Sequence, residues 1–162
     1  MKTQIEYARE HTLTPQMETV ARDEGLSAEY IREKVAAGEI VIANNPRRPG
    51  QKVVGIGTGL RTKGNASIGT SSDICNLEAE IRKARIAEEE GADTLMELSV
   101  GGDLDRIRRE VLAHTRLPVG NVPLYQAFKE TARKYKDPCK LDPEFLFELI
   151  ERQLADGLSF MA

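Results

Sequence analysis

The chain has 162 residues, of which 40% are hydrophobic and 30% charged, a composition typical of a folded globular domain rather than a disordered or fibrous one. The formal net charge of −3 comes from interleaved acidic and basic residues, which argues against nucleic acid or an anionic membrane as the main partner. No apolar run approaches the roughly 18 residues of a membrane helix. The cysteines, Cys75 and Cys139, form no CxxC pair, and we therefore expect a reducing, cytoplasmic setting.

The N-terminal third predicts two short helices and a strand. Thr14 before Pro15, and later Ser27, are good helix N-caps. The predicted elements are helices over residues 16–24 and 28–37 and a strand over residues 39–43. The loop at residues 44–50 (NNPRRPG) is the best candidate boundary, since its Pro, Asn and Gly content excludes regular structure. We expect an N-terminal helical/β arm and linker over residues 1–50 and a second region over residues 51–162.

From about residue 65 the sequence predicts alternating strands and helices. The predicted strands cover residues 65–68, 94–98, 117–122 and 158–162, and the helices residues 77–90, 103–113, 126–136 and 144–155. This alternation indicates an α/β fold of right-handed βαβ units with a parallel sheet. Two architectures fit it: a short doubly wound domain whose last strand lies at an edge, or the first about four βα units of a truncated (β/α)8 barrel, which needs about 250 residues to close. We favour the truncated barrel, because the last strand has no helix after it to cover it.

The carboxyl ends of parallel strands are where α/β proteins place their ligands. Three loops at these ends, residues 69–72, 99–102 and 123–126, each precede a predicted helix start, where backbone N–H groups suit a phosphate. A phosphorylated small molecule is therefore one interpretation, and simple turn chemistry is the other. Glu97 is unusual within a parallel strand, so it lies either at the rim or paired inside.

Basic residues offer a second possible phosphate contact. A modest positive cluster is formed by Arg47, Arg48, Arg61 and Lys63, although solvent exposure is the commoner fate of any one of them. The basic run at residues 106–109 is expected to be a solvated helix face. The glycines of residues 55–59 lack the spacing of a dinucleotide-binding loop, and we reject that interpretation.

Five segments stand out in order along the chain: residues 55–63 (GIGTGLRTK), 65–71 (NASIGTS), 91–99 (GADTLMELS), 101–108 (GGDLDRIR) and 119–127 (VGNVPLYQA). Together they resemble the phosphomethylpyrimidine synthase family of thiamine biosynthesis. The resemblance covers essentially the whole chain. It implies a barrel enzyme that uses S-adenosylmethionine, a [4Fe–4S] cluster and a divalent metal such as zinc, and that rearranges 5-aminoimidazole ribotide as a homodimer.

The resemblance also implies substrate-binding residues, which here are Ser67, Met96 and Tyr125. Met96 and Tyr125 match the family pattern, whereas the family usually has Asn where this chain has Ser67. Further departures near the predicted site are Gly64, Glu97 and Asn121. These departures leave two products open: the thiamine pyrimidine, which we rank first, and 5-hydroxybenzimidazole, made from the same ribotide by a related branch for anaerobic cobamide biosynthesis.

The catalytic apparatus implied by the family has no counterpart motif in this sequence. Neither Cys75 nor Cys139 belongs to a cluster motif, and His11 and His114 are not at the family's metal positions. We therefore expect this polypeptide to be the inactive N-terminal part of an enzyme. The alternatives are a non-catalytic ribotide-binding module and a fragment that completes its sheet by oligomerising.

Overall fold

The computed structural model describes residues 2–162. The described residues form seven α-helices, which are α1 (Gln4–Arg9), α2 (Pro15–Glu24), α3 (Ala28–Ala36), α4 (Leu77–Glu89), α5 (Leu104–His114), α6 (Pro123–Tyr135) and α7 (Pro143–Asp156). The strands are β1 (Ile40–Ala43), β2 (Val54–Gly57), β3 (Asn65–Ile68), β4 (Thr94–Glu97), β5 (Val119–Asn121) and β6 (Phe160–Met161). One turn of 3-10 helix, Pro138–Lys140, precedes α7.

The chain divides into two compact units. The first contains the described residues up to Asn44 together with Lys52–Lys63, and the second contains Asn45–Gln51 and Gly64–Ala162. The predicted division after residue 50 placed residues 45–50 with the first region and residues 52–63 with the second, which is the reverse of this grouping. Lys52–Lys63 belongs to the first unit because β2 pairs with β1 in an antiparallel hairpin.

The loop at residues 45–51 belongs to the second unit, where the polar side chains at both of its ends form hydrogen bonds. The amide of Asn45 donates to the carbonyl oxygens of Leu154 and Leu158 at 2.9 and 2.6 Å. Gln51 accepts a hydrogen bond from the Ser159 hydroxyl at 2.8 Å. The loop is irregular, as its composition predicts, but it is fixed at both ends rather than acting as a free linker.

The first unit packs α1, α2 and α3 with the hairpin around a small apolar core. Its fully enclosed side chains include Met17, Ile31 and Ile40. Helix α1 was not among the predicted elements; it begins with a capping box in which Thr3 and Glu6 each bond the other's backbone N–H. Inside this unit Lys63 and Glu24 form an ion pair of 2.8 Å, with both side chains only 7% exposed.

The second unit is a parallel α/β sheet with the strand order β3-β4-β5-β6. Its apolar core lies between the sheet and helices α4 and α5, and consists of Ile68, Ala84, Leu95, Ile107, Val111, Leu112, Leu117, Val119 and Leu158. Each strand follows the previous one through a helical connection, so the predicted parallel sheet is confirmed. Closure of such strands into an eight-stranded barrel stays a prediction.

Helix boundaries in this unit differ from the prediction mainly at α6. The helix begins at Pro123 rather than at residue 126, because proline is well tolerated in the first turn of a helix. Tyr125 therefore lies in the first turn of α6 and not at the end of a strand.

Candidate functional site

Strand register places two of the predicted substrate-binding residues side by side. Ser67 on β3 pairs directly with Met96 on β4. Met96 pairs in turn with Gly120 on β5, and Gly120 pairs with Phe160 on β6. We call these four residues the inner row.

The inner row lies on the sheet face opposite the helices. Side chains alternate along a strand, and Leu95 and Val119, which flank the row, belong to the core packed against α4 and α5. Ser67 is exposed, whereas Met96 is only 8% exposed. Strand pairing therefore places an exposed hydroxyl beside a nearly buried thioether.

Tyr125 lies just beyond the carboxyl end of β5, in the first turn of α6. Its side chain is 50% exposed, and its backbone N–H donates to the carbonyl oxygen of Val122 at 3.1 Å. An exposed phenol at a strand-to-helix junction can donate or accept a hydrogen bond and can cover a planar ligand. The structure thus places Ser67 and Met96 as direct neighbours and Tyr125 on the adjoining helix.

Two loops at the carboxyl ends of β3 and β4 are tied to each other. Thr70 donates from its hydroxyl to the carbonyl oxygen of Gly101 at 2.8 Å, and its backbone N–H donates to Ser99 Oγ at 3.0 Å. The Val100 N–H returns a bond to the Thr70 carbonyl oxygen at 3.0 Å. Thr70 and Ser99 are buried, so these hydroxyls hold the loops together. The hydroxyls of Thr70 and Ser99 are therefore explained by their role in the turns, without a bound phosphate.

Glycine is needed where these loops approach each other. At Gly69 a β-carbon would lie 2.6 Å from the carbonyl carbon of Leu98, and φ is +155°. At Gly101 it would overlap the carbonyl oxygen of Ser71. Ser71 Oγ accepts the backbone N–H groups of Asp73 and Ile74 at 3.3 and 2.9 Å. The glycines and hydroxyls at this rim therefore set the shape of the loops.

Glu97 is buried. Of the two positions that the sequence left open for it, the rim of the sheet or the interior, the structure shows the interior. Its Oε1 accepts the backbone N–H of Ser99 at 2.9 Å. Burial raises the pKa of the carboxyl, while hydrogen bonds from Ser99 and the positive charge of Arg108 oppose that rise. Glu97 pairs inside the protein and connects through Ser99 to Thr70 of the neighbouring loop.

Arg108 is buried, so the expectation of a solvated basic face is wrong at this position. The side chain is 1% exposed. Its guanidinium donates to Asp156 Oδ2 at 3.0 and 2.6 Å, to Asp105 Oδ1 at 2.6 Å and to Gln126 Oε1 at 3.0 Å. Gln153 also donates to Gln126 Oε1, at 2.9 Å. These bonds tie α5, α6 and α7 together, because one planar cation offers five donors.

Helical spacing could have suggested this burial. Leu104, Ile107, Val111 and Leu112 form the buried face of α5, and Arg108 lies on the same side, four residues after Leu104 and four before Leu112. The sequence alone gave no acidic partner, since Asp156 is 48 residues away.

Two members of the predicted positive cluster, Arg48 and Lys63, have partners within the protein. Arg48 donates to the carbonyl oxygens of Leu117, at 2.7 Å, and Thr115, and burial lowers the pKa of its guanidinium. Lys63 is paired with Glu24 inside the first unit. Both side chains have structural partners that the sequence pattern did not reveal.

Among residues 2–162, the side chains that could hold an iron–sulfur cluster or a divalent metal are not grouped together. Across residues 2–162 no group of three or more His, Cys, Asp and Glu side chains is arranged to hold a metal ion. Cys75 and Cys139 are both exposed and unpaired. We therefore assign no catalytic step to such groups within this chain. Nor does any helix among the described residues have the length and apolarity needed to cross a membrane.

A parallel α/β sheet with polar loops at the carboxyl ends of its strands is an arrangement found in α/β enzymes. Residues 3–162 match the family model described as the radical SAM ThiC family, and the chain belongs to that family. The resemblance seen in the five sequence segments is thereby confirmed.

Curated relatives of two kinds match the chain. A 5-hydroxybenzimidazole synthase of Desulforapulum autotrophicum is 73% identical over 162 residues, and one of Geobacter sulfurreducens is 69% identical over 163 residues. A phosphomethylpyrimidine synthase of Carboxydothermus hydrogenoformans is 50% identical over 159 residues. These matches cover 98–100% of this chain but 37% of each relative. The chain therefore spans little more than a third of the length of these relatives.

Proposed function

We propose that this chain forms the N-terminal, substrate-binding part of a radical S-adenosylmethionine enzyme that converts 5-aminoimidazole ribotide to 5-hydroxybenzimidazole. The observation that carries the choice of product is the difference in identity between the two kinds of relative. Four relatives named 5-hydroxybenzimidazole synthase are 67–73% identical, and four named phosphomethylpyrimidine synthase are 50–53% identical. This reverses the order in which the sequence alone ranked the two products.

The proposed role of the chain is to bind and orient the ribotide on the inner face of its sheet. Ser67 contributes a hydroxyl and Met96 a polarisable thioether, held next to each other by strand pairing. Tyr125 contributes a half-exposed phenol from the first turn of α6. When bound elsewhere in the longer protein, S-adenosylmethionine and the cluster would supply the radical that starts the rearrangement. We also propose a homodimeric, cytoplasmic enzyme and a divalent metal such as zinc in its remaining part.

The reaction is tested with the full-length protein under anaerobic conditions. It is incubated with 5-aminoimidazole ribotide, S-adenosylmethionine and a reductant, and the products are separated by liquid chromatography with mass detection. Formation of 5-hydroxybenzimidazole without pyrimidine phosphate supports the proposal. Formation of the pyrimidine phosphate alone overturns it and supports the second candidate, a thiamine pyrimidine synthase. That candidate is based on phosphomethylpyrimidine synthases that are 50–53% identical to this chain.

The inner row offers a test of how the product is selected. Ser67 stands where the family usually has Asn, and a serine hydroxyl has one donor where an amide has two. We expect Ser67→Asn to lower the yield of 5-hydroxybenzimidazole at least threefold relative to ribotide consumed. Ser72→Asn is the control, because Ser72 is exposed in the loop after β3 and is not part of the inner row. An unchanged yield in Ser67→Asn would remove this position from the selection of product.

A further inference from the structure

We propose that Phe160 is a further substrate-binding residue, whose ring forms an aromatic wall against the planar heterocycle of the ribotide. This inference deepens the proposed function and rests on it. It comes from the register and packing of β4, β5 and β6.

The register extends the predicted site by two strands. Ser67 and Met96 occupy the first two positions of the inner row, and Gly120 and Phe160 occupy the next two. Phe160 is absent from the residues that pack against the apolar core of this unit, whereas its neighbour Met161 packs there. The ring therefore lies on the inner face, on the same side of the sheet as Met96.

The absence of a side chain at Gly120 lets the ring lie across β5. A β-carbon at this position would come within 2.7 Å of three ring atoms of Phe160, which are Cδ2, Cε2 and Cζ. Real β-carbons do not approach other atoms so closely, so any larger residue at position 120 would displace the ring. The ring thus extends from the edge strand β6 over β5 and toward Met96 on β4.

A phenyl ring in this place suits a flat, partly apolar ligand. Aromatic rings prefer offset stacking or edge-to-face contact with other π-systems, and thioethers contact rings favourably. Phe160 is partly exposed, so its ring is not fully enclosed by the described residues. The aminoimidazole of the ribotide is such a planar group, and it would lie between the ring, the Met96 thioether and the Ser67 hydroxyl.

The test measures binding of 5-aminoimidazole ribotide to the full-length protein by titration calorimetry, without S-adenosylmethionine or reductant. We expect Phe160→Leu to weaken binding about tenfold, because the side chain stays apolar but loses its ring. We expect Gly120→Ala to weaken binding by a similar factor, because it displaces the ring. The double variant should bind no more weakly than the weaker single variant, since both changes act on one contact.

The matched control is Phe147→Leu on α7. Phe147 is 59% exposed and lies outside the inner row, so the same loss of a ring should leave ribotide binding unchanged. Thermal melting of every variant separates loss of binding from loss of fold. If Phe160→Leu melts early, the pair Phe160→Tyr and Phe160→Met decides the matter, with binding kept by the first and weakened by the second.

The outcomes distinguish this inference from the function on which it rests. If the unmodified protein binds no ribotide at millimolar concentration, the proposed function fails. If the unmodified protein binds and folded Phe160→Leu or Phe160→Met binds within twofold of it, only the role of Phe160 is overturned.

Discussion

Gly101 packs its backbone directly against the carbonyl oxygen of Ser71, with no room for a side chain between the two loops. A β-carbon at position 101 would overlap that oxygen and lie 2.7 Å from the carbonyl carbon. The contact is reinforced nearby, where the Thr70 hydroxyl donates to the Gly101 carbonyl oxygen at 2.8 Å. The loops that follow β3 and β4 therefore hold one another in position at the carboxyl end of the sheet.

Replacing Gly101 by alanine should force these loops apart. Overpacking against backbone atoms typically costs 1–3 kcal/mol, and we expect Gly101→Ala to lower the free energy of unfolding by roughly 2 kcal/mol. The control is Gly64→Ala, because a β-carbon there has only Asp93 Oδ2 near it, at 3.9 Å. Urea denaturation of both variants checks the prediction. Equal midpoints for the two would show that the loop contact tolerates a side chain.

Arg108 should be among the positions of the second unit at which a substitution lowers the stability of the fold most. Replacing it by methionine takes from Asp156, whose side chain is only 16% exposed, its closest cationic partner, and takes from Gln126 Oε1 one of its two donors. Removing one member of a buried ion pair typically costs about 3–5 kcal/mol, and thermal melting should show a correspondingly large loss. Arg109→Met is the matched control. The Arg109 side chain is 56% exposed, and its distance of 4.0 Å from Asp156 Oδ1 is long for an ion pair.

A second substitution distinguishes charge from packing at this network. Adding Asp156→Asn to Arg108→Met removes the carboxylate that the first change leaves unpaired. Part of the lost stability should return, because a buried amide costs less than a buried, uncompensated charge. No recovery would indicate that the packing of the arginine side chain accounts for its effect.

Disrupting the capping box at the start of α1 should lower the stability of the fold by less than the loss of Arg108. Thr3→Ala removes the side-chain oxygen that accepts the Glu6 backbone N–H. Loss of such a cap typically costs about 0.5–2 kcal/mol. We expect a lower melting temperature for the first unit and no change in ribotide binding by the full-length protein. Thr62→Ala is a comparable exposed threonine outside any helix and should have little effect.

Local signals in the sequence were enough to predict the alternation of strands and helices. N-caps such as Thr14, Ser27 and Asp103 accept backbone N–H groups at the starts of the predicted helices. The strand over residues 65–68 coincides with β3. Capping and side-chain periodicity act over a few residues, and therefore a single sequence reveals them.

Contacts between distant segments were not accessible in the same way. Arg108 looked like part of a solvated run because Asp156 and Gln126 reach it only after three helices pack together. Phe160 became part of the candidate site only when register placed it opposite Gly120. A pairing between segments about forty residues apart depends on tertiary packing, which leaves no short-range pattern in the chain.

The buried carboxyl of Glu97 should make the stability of the second unit depend on pH. Burial is the main cause that raises its pKa, Glu80 adds to the rise, and Ser99 and Arg108 oppose it. The folded state then keeps the proton to a higher pH than the unfolded state does. Its favourable contribution is fully present below the ordinary carboxyl pKa and is lost as pH rises through the raised value.

Replacing Glu97 by glutamine removes this titration while keeping an oxygen that can accept the Ser99 N–H. We expect Glu97→Gln to gain stability relative to the unmodified protein as pH rises from 4 to 7, because the variant has no proton to lose. Melting temperatures measured across that range check the sign. Glu148→Gln on the exposed side of α7 controls for the loss of one negative charge. A Glu97→Gln curve that runs parallel to the Glu148→Gln curve would show that the Glu97 carboxyl is not the group responsible.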